Sequence, residues 1–197
     1  MEPVRRRGRE RPIAYRLRHP LGGRPLAVLG HYEATSGGVD TIRAADGGMG
    51  EAFRLAGEHA SSGHDVLLEG LLLSGEHARS AALAKAHGLH VLRLGTPLDR
   101  CVRNVIARQR AGRRGWASVA RTATMQQANI EEACLQLQWH ASVEVLDFGG
   151  ALLRARELLG LEGLGAAVRW PGSYVVTGAR SGSAAMPAGV RVIRRSR

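Results

Sequence analysis

The sequence predicts an α/β fold in which helices cover a parallel sheet. Three observations carry that expectation. Apolar runs of strand length recur, each closed by a glycine or an acidic residue. Between them apolar residues return at helical spacing, and the joints are short enough to make right-handed crossovers the natural connection.

At 197 residues and 44% hydrophobic content the chain suits one domain with a real core. No apolar run approaches the ~20 residues of a membrane span. The start, Met1-Glu2-Pro3-Val4 before Arg5-Arg6-Arg7, lacks the apolar core of a signal peptide. Both points argue for a cytoplasmic protein without a membrane partner. Cys101 and Cys134 have neither CxxC nor Cys/His spacing and fall on apolar helix faces, as buried thiols do. The net charge of +11 favours acidic ligands. Only Lys85 among the 28 basic residues is a lysine, so the arginine excess also fits the coding bias of a GC-rich genome.

Residues 1–24 are rich in Arg and Pro and are expected to be irregular. Pro25-Leu26-Ala27-Val28-Leu29-Gly30 reads as a first buried strand, with His31-Tyr32-Glu33 at its carboxyl end. The following loop contains Gly37, Gly38 and Asp40, and its composition suits backbone N–H groups approaching a ligand, or a plain structural turn. Met49, Ala52, Phe53, Ala56 and Ala60 make a helical stripe that leads into the strand Val66-Leu67-Leu68-Glu69-Gly70. Glu69 emerges at the sheet's carboxyl edge, where open α/β sheets bind ligands. A magnesium-site acid and a capping or salt-bridged glutamate are both compatible with that place.

A helix over about 76–87 then precedes a third strand, His90 to Gly95. Thr96-Pro97-Leu98-Asp99 is a helix start. Leu98, Cys101, Val102, Val105 and Ile106 form its inner stripe. Arg103, Arg108, Arg110, Arg113 and Arg114 have no acidic residue between Asp99 and Glu131 to pair with, which reads as a phosphate clamp on a lid over about 103–117 rather than a solvated face. A long helix over about 118–140, an edge-like strand Val143 to Asp147 and a helix Ala151 to Leu159 follow. Residues 164–197 are expected to be a basic, loosely ordered tail whose one strand-like run is Tyr174-Val175-Val176. His59, His64, His77, His87 and His90 lack metal spacing with a third partner and read as surface histidines. Ser74 lacks the Gly-x-Ser-x-Gly elbow of a hydrolase.

In order and spacing, five pieces resemble P-loop kinases of the nucleotide-kinase type, above all the phage thymidylate-kinase-like and hydroxymethyluracil DNA kinases. They are Arg11 to Leu17, Val28-Leu29-Gly30-His31-Tyr32-Glu33, Gly37-Gly38-Val39-Asp40-Thr41-Ile42, Val66 to Ser74, and Leu94-Gly95-Thr96-Pro97-Leu98-Asp99-Arg100-Cys101. The resemblance covers about 11–161. It implies a three-layer α-β-α P-loop NTPase-like domain over 25–163, with Mg2+ and ATP as cofactors and a nucleotide or DNA as acceptor. Glu69 would stand near the metal, and Asp40 would orient or deprotonate the attacking hydroxyl. His31, Tyr32, Glu33, Gly37 and Gly38 would line the acceptor site, and the lid arginines would neutralise the transferring phosphoryl group. Where the family loop carries cysteines this chain has Ser36 and Val39.

The other departure is larger. Lys85 lies in Ala84-Lys85-Ala86 with no glycine-rich loop before it, so these residues contain no Gly-Lys-Ser/Thr phosphate loop, the Walker A motif. The simplest account is a truncated domain, incomplete at its N-terminus, or a separate chain that supplies the P-loop. The sheet would then lack a central strand and expose apolar surface. Two functions follow as expectations: a kinase acting on a nucleotide or modified DNA base, impaired as this chain, or a non-catalytic nucleotide- or nucleic-acid-binding protein. A degenerate remnant is the third. Aromatic content of 4% gives a single-strand binder little to stack bases on.

Overall fold

The computed structural model describes residues 1–6, 8–32, 37–70, 72–109, 116–164 and 189–193. Their strands form one seven-stranded sheet. In chain order the strands are β1 (Glu2–Val4), β2 (Ala14–Leu17), β3 (Leu26–Leu29), β4 (Asp65–Gly70), β5 (His90–Leu94), β6 (Ser142–Leu146) and β7 (Gly189–Ile193). The helices are α1 (Gly48–Ser61), α2 (His77–His87), α3 (Leu98–Gln109), α4 (Trp116–Leu137) and α5 (Phe148–Leu158). Spatial order across the sheet is β1-β2-β3-β4-β7-β5-β6.

The parallel pairs expected from the alternation of strands and helices are β3 with β4 and β5 with β6. The sheet as a whole is mixed, which corrects the expectation of a parallel one. β1 and β2 run antiparallel at one side, and β7 runs antiparallel to both β4 and β5 in the middle. Alternate side chains along the central strands feed two cores. Val66, Leu68, Val91 and Ile193 pack with Ala52, Phe53, Leu83, Ala84 and Leu137 from α1, α2 and α4. Leu26, Leu92 and Val192 pack with Ala151 and Leu158 of α5 on the opposite face. Helices therefore cover both faces. Among the described residues no helix is long and apolar enough to cross a membrane.

Both chain ends hold strands where irregular structure is expected. Ile13, Ala14 and Tyr15 are an apolar run hidden among Arg and Pro, and burying all three secures β2 beside β3. Pro3 lies in the edge strand β1, where a missing N–H is tolerated. At the other end β7 lies between β4 and β5 in the middle of the sheet. Val192 and Ile193 are 0% and 1% exposed, and Val66, Leu68, Val91 and Leu92 beside them are equally covered. The expected apolar exposure at the sheet's middle is thus not found. The run Tyr174-Val175-Val176 lies outside the described residues.

The histidines depart from a surface reading. His77 is exposed, but His59 is buried and His64, His87 and His90 are half-buried. His59 follows Leu55 and Ala56 by one helical turn, on the stripe of α1 that faces the core. Among the described residues its Nε2 has no hydrogen-bond partner, and its ring lies 5.3 Å from that of His64. Burial, then the charge of Arg16 and the neighbouring His64, hold the His59 imidazole below its ordinary value of 6.5. A lowered folded-state value means that the unfolded chain takes up the proton first. Stability is then full above 6.5 and lost as pH falls through the folded value. Thermal unfolding is expected to drop on acidification below that point, and His59→Leu is expected to flatten this window. An unchanged slope in the variant would refute the assignment.

Candidate functional site

The site is built where three short segments meet at the carboxyl ends of β3 and β4. Gly30, directly after β3, has φ +102, and a Cβ there would stand 2.1 Å from the Gly38 carbonyl oxygen. Gly38, at φ +80, would put a Cβ 2.2 Å from the Glu69 carbonyl oxygen. At Gly70 a Cβ would meet Asp40 Oδ1 at 2.5 Å and Val39 Cγ2 at 2.8 Å. Glycine at these places lets the loop press on both strand ends at once.

The consequence is chemical. Asp40, in the single turn Val39–Thr41, is laid over Gly70 beside Glu69. Asp40 is exposed and Glu69 half-buried. Burial first, and the Asp40 charge second, raise the Glu69 carboxyl above its ordinary range. Two adjacent carboxylates offer hard oxygen ligands to a cation that keeps most of its shell as water, which is how magnesium binds. Among the described residues no group of three or more His, Cys, Asp and Glu gathers as a denser metal cage.

Thr41 ties the loop together. Its hydroxyl donates to the Gly38 carbonyl at 2.6 Å and accepts the His31 amide at 3.0 Å. His31 is buried, and its Nδ1 shares a hydrogen bond of 3.3 Å with the Tyr15 hydroxyl. That makes it a support under the loop rather than a group open to a ligand. Tyr32 keeps 38% of its surface exposed while its hydroxyl donates inward to the Leu29 carbonyl at 3.3 Å. Burial of the phenol, then the charges of Glu69 and Asp40, raise it far above the usual tyrosine range. Gly37 lies against the same ring, where a Cβ would approach Tyr32 Cδ1 to 3.0 Å.

Of the expected site residues, the fold gathers Asp40, Glu69, His31, Tyr32, Gly37 and Gly38 at one sheet edge. Glu33 lies outside the described residues, as do Arg110, Arg113 and Arg114. Arg108 is in α3, but its side chain is likewise outside them. Arg103 is described and is not an unpaired cation: one turn along α3 it meets Asp99 at 2.6 Å. Asp99, read as a helix-start residue, was close enough in sequence to signal that pair.

One participant carries no sequence signal of its own. Arg9 reaches the site loop from the N-terminal segment, with Nη1 2.8 Å from Asp46 Oδ2 and Nη2 donating to the Thr41 carbonyl at 3.0 Å. Arg6 donates to the Asp46 carbonyl beside it. In an arginine run, nothing distinguishes the two that reach this loop.

No family model matches the chain, and no solved structure matches it. Among curated proteins, a 5-hmdU DNA kinase of Pseudomonas phage PaMx11 is 43% identical to it over 109 residues. The match covers 55% of this chain and 55% of that protein, so the chain spans about half the length of the curated relative it matches. Over that stretch the chain is homologous to a phage 5-hmdU DNA kinase, in line with the resemblance carried by its sequence motifs.

Proposed function

We propose that this chain takes part in ATP-dependent phosphoryl transfer to the hydroxyl of 5-hydroxymethyluracil in DNA, and that its site is the acceptor side of that reaction. The observation that carries the proposal is the Asp40 carboxylate laid over Gly70 beside Glu69, at the edge where α/β sheets bind ligands. The similarity to a 5-hmdU DNA kinase supports this choice of acceptor.

Asp40 is exposed, so it can meet a hydroxyl presented from solvent. It accepts the hydroxyl proton as the oxygen bonds to the terminal phosphorus and the bond from that phosphorus to the ADP oxygen breaks. Glu69 would hold magnesium, which spreads the charge on the phosphate oxygens. Tyr32, with 38% of its surface exposed, is the aromatic side chain of this edge against which a base lifted from the DNA stack can lie. Arg103, Arg108, Arg110, Arg113 and Arg114 are the proposed lid, and Arg103 would leave its Asp99 partner for the phosphates when ATP is present. The ATP phosphates need a cradle that Lys85, exposed in α2, does not provide. We assign it to residues outside these 197, which a form extended upstream would supply.

The test supplies radiolabelled ATP, magnesium and DNA carrying either 5-hydroxymethyluracil or thymine, to this chain and to a form extended upstream. Label is expected in the hydroxymethylated DNA alone. No transfer by either form sinks the proposal.

The single lysine and the absence of a Gly-Lys-Ser/Thr loop in these residues favour a second reading, a non-catalytic nucleotide- or DNA-binding protein, of which a degenerate remnant is the limiting case. It predicts DNA binding without ATP that weakens steeply with salt. Salt-independent binding, or none, removes it.

A further inference from the structure

The basic N-terminal segment invites a reading as a phosphate-binding arm, but Arg9 does not fit one. Its side chain is only 12% exposed. Both ends of its guanidinium fork are committed, one to the Asp46 carboxylate and the other to the Thr41 carbonyl. Thr41 directly follows Asp40 and is itself held through its hydroxyl to Gly38 and His31. Asp46 ends the next turn of the same loop, Ala44–Asp46. One side chain therefore spans the loop from the residue after Asp40 to the turn that leads into α1.

The geometry points to Arg9 as a positioning residue: by clamping the Thr41 carbonyl to the Asp46 carboxylate, it holds Asp40 over Gly70 beside Glu69. Of the two long basic side chains, only the guanidinium presents donors on separate nitrogens in one fixed plane, so a lysine can make one of these contacts at a time. The clamp also accounts for a loop that keeps its shape without long regular structure. Its two single turns close on only two or three backbone hydrogen bonds each, such as Ile42 to the Val39 carbonyl at 3.0 Å and Gly47 to the Ala44 carbonyl at 3.0 Å. The consequence for catalysis rests on the phosphoryl-transfer reading, whereas the placement of the loop does not.

Arg9→Gln, Arg9→Lys and Asp46→Asn in the full chain test the clamp by amide exchange and by kinetics. In Arg9→Gln the amides of Thr41 and Ile42 are expected to exchange at least about tenfold faster, the loss of one charged hydrogen bond, with the β4 amides Val66 to Leu68 unchanged. In the form that transfers phosphate, kcat is expected to fall about ten- to hundredfold, as misplacement of a reacting group does. KM for ATP should stay within about twofold, because the clamp does not touch that substrate. Arg9→Lys should recover part of the kcat, and Asp46→Asn should resemble Arg9→Gln. Unchanged exchange at Thr41 and Ile42 overturns the proposal. So does a loss confined to DNA affinity, which would make Arg9 a phosphate contact. Global unfolding of both Arg9→Gln and Asp46→Asn overturns it too, by making the pair a general structural tie. If neither form of the parent protein transfers phosphate, the functional reading fails, and the exchange result alone decides where Arg9 acts.

Discussion

Val192→Asp is expected to remove most of the folding stability, leaving no cooperative urea transition or one at a strongly lowered midpoint. Val192 is 0% exposed and lies opposite Leu67 on one side and His90 on the other. An unpaired carboxylate there meets Leu26, Leu92 and Leu158 instead of water. The cost is several kcal/mol, set against a typical total of about 5–15 kcal/mol. A second loss is specific to the topology. β7 is hydrogen-bonded to β4 and β5, and among the described residues no other strand joins these two, so weakening it opens the sheet between β4 and β5. Val192→Ala, which removes apolar volume without adding charge, should cost about 2 kcal/mol and keep a single transition. If Val192→Asp unfolds at the parent midpoint, β7 does not occupy the sheet in solution.

That position shows why part of the fold was legible and part was not. β3 to β6 and α1 to α5 announce themselves locally, since a strand ending on glycine or a helical stripe needs no distant partner to be read. The N-terminal end of α5 is an example of a small local slip. Asp147 reads as the end of a strand, yet its carboxylate accepts the Gly150 amide at 2.7 Å and caps the helix. β7 gives no such signal. Gly-Val-Arg-Val-Ile is five residues long, and its partners, Val66 to Gly70 and His90 to Arg93, lie about a hundred residues earlier. Loop closure over that length is decided by the whole core, not by the segment's own pattern. The site divides in the same way. Glu69 stands out at a strand end, Asp40 is singled out by the family resemblance, and the structure brings the two together. That Gly30 and Gly70 are what allow the contact, and that Arg9 braces it, depends on which backbones touch.

Asp40→Asn is expected to lower kcat by about a hundred- to ten-thousandfold, in whichever form of the protein transfers phosphate, with little effect on folding. The amide has the same shape, so Gly70, which leaves it room, needs no adjustment. It accepts no proton at neutral pH. Removing the charge also relieves the repulsion that helps raise Glu69, whose carboxyl should then titrate lower, while burial alone keeps it above the ordinary value. Folding should therefore be unchanged or slightly better. Gly38→Ala makes the complementary change, for it leaves every functional group in place and alters only the approach. Its Cβ would stand 2.2 Å from the Glu69 carbonyl oxygen, and φ +80 is strained for alanine. The loop must lift away from β4, at a cost of about 1–2 kcal/mol for the conformation alone. Activity should fall here as well, together with a lower unfolding midpoint. The two variants separate chemistry from placement: a normal midpoint with lost kcat marks Asp40 as the group that takes the proton, and a shift in both marks the glycine contact as what puts it there. Full kcat in Asp40→Asn would remove the carboxylate from the reaction and leave the loop as a binding surface for the acceptor.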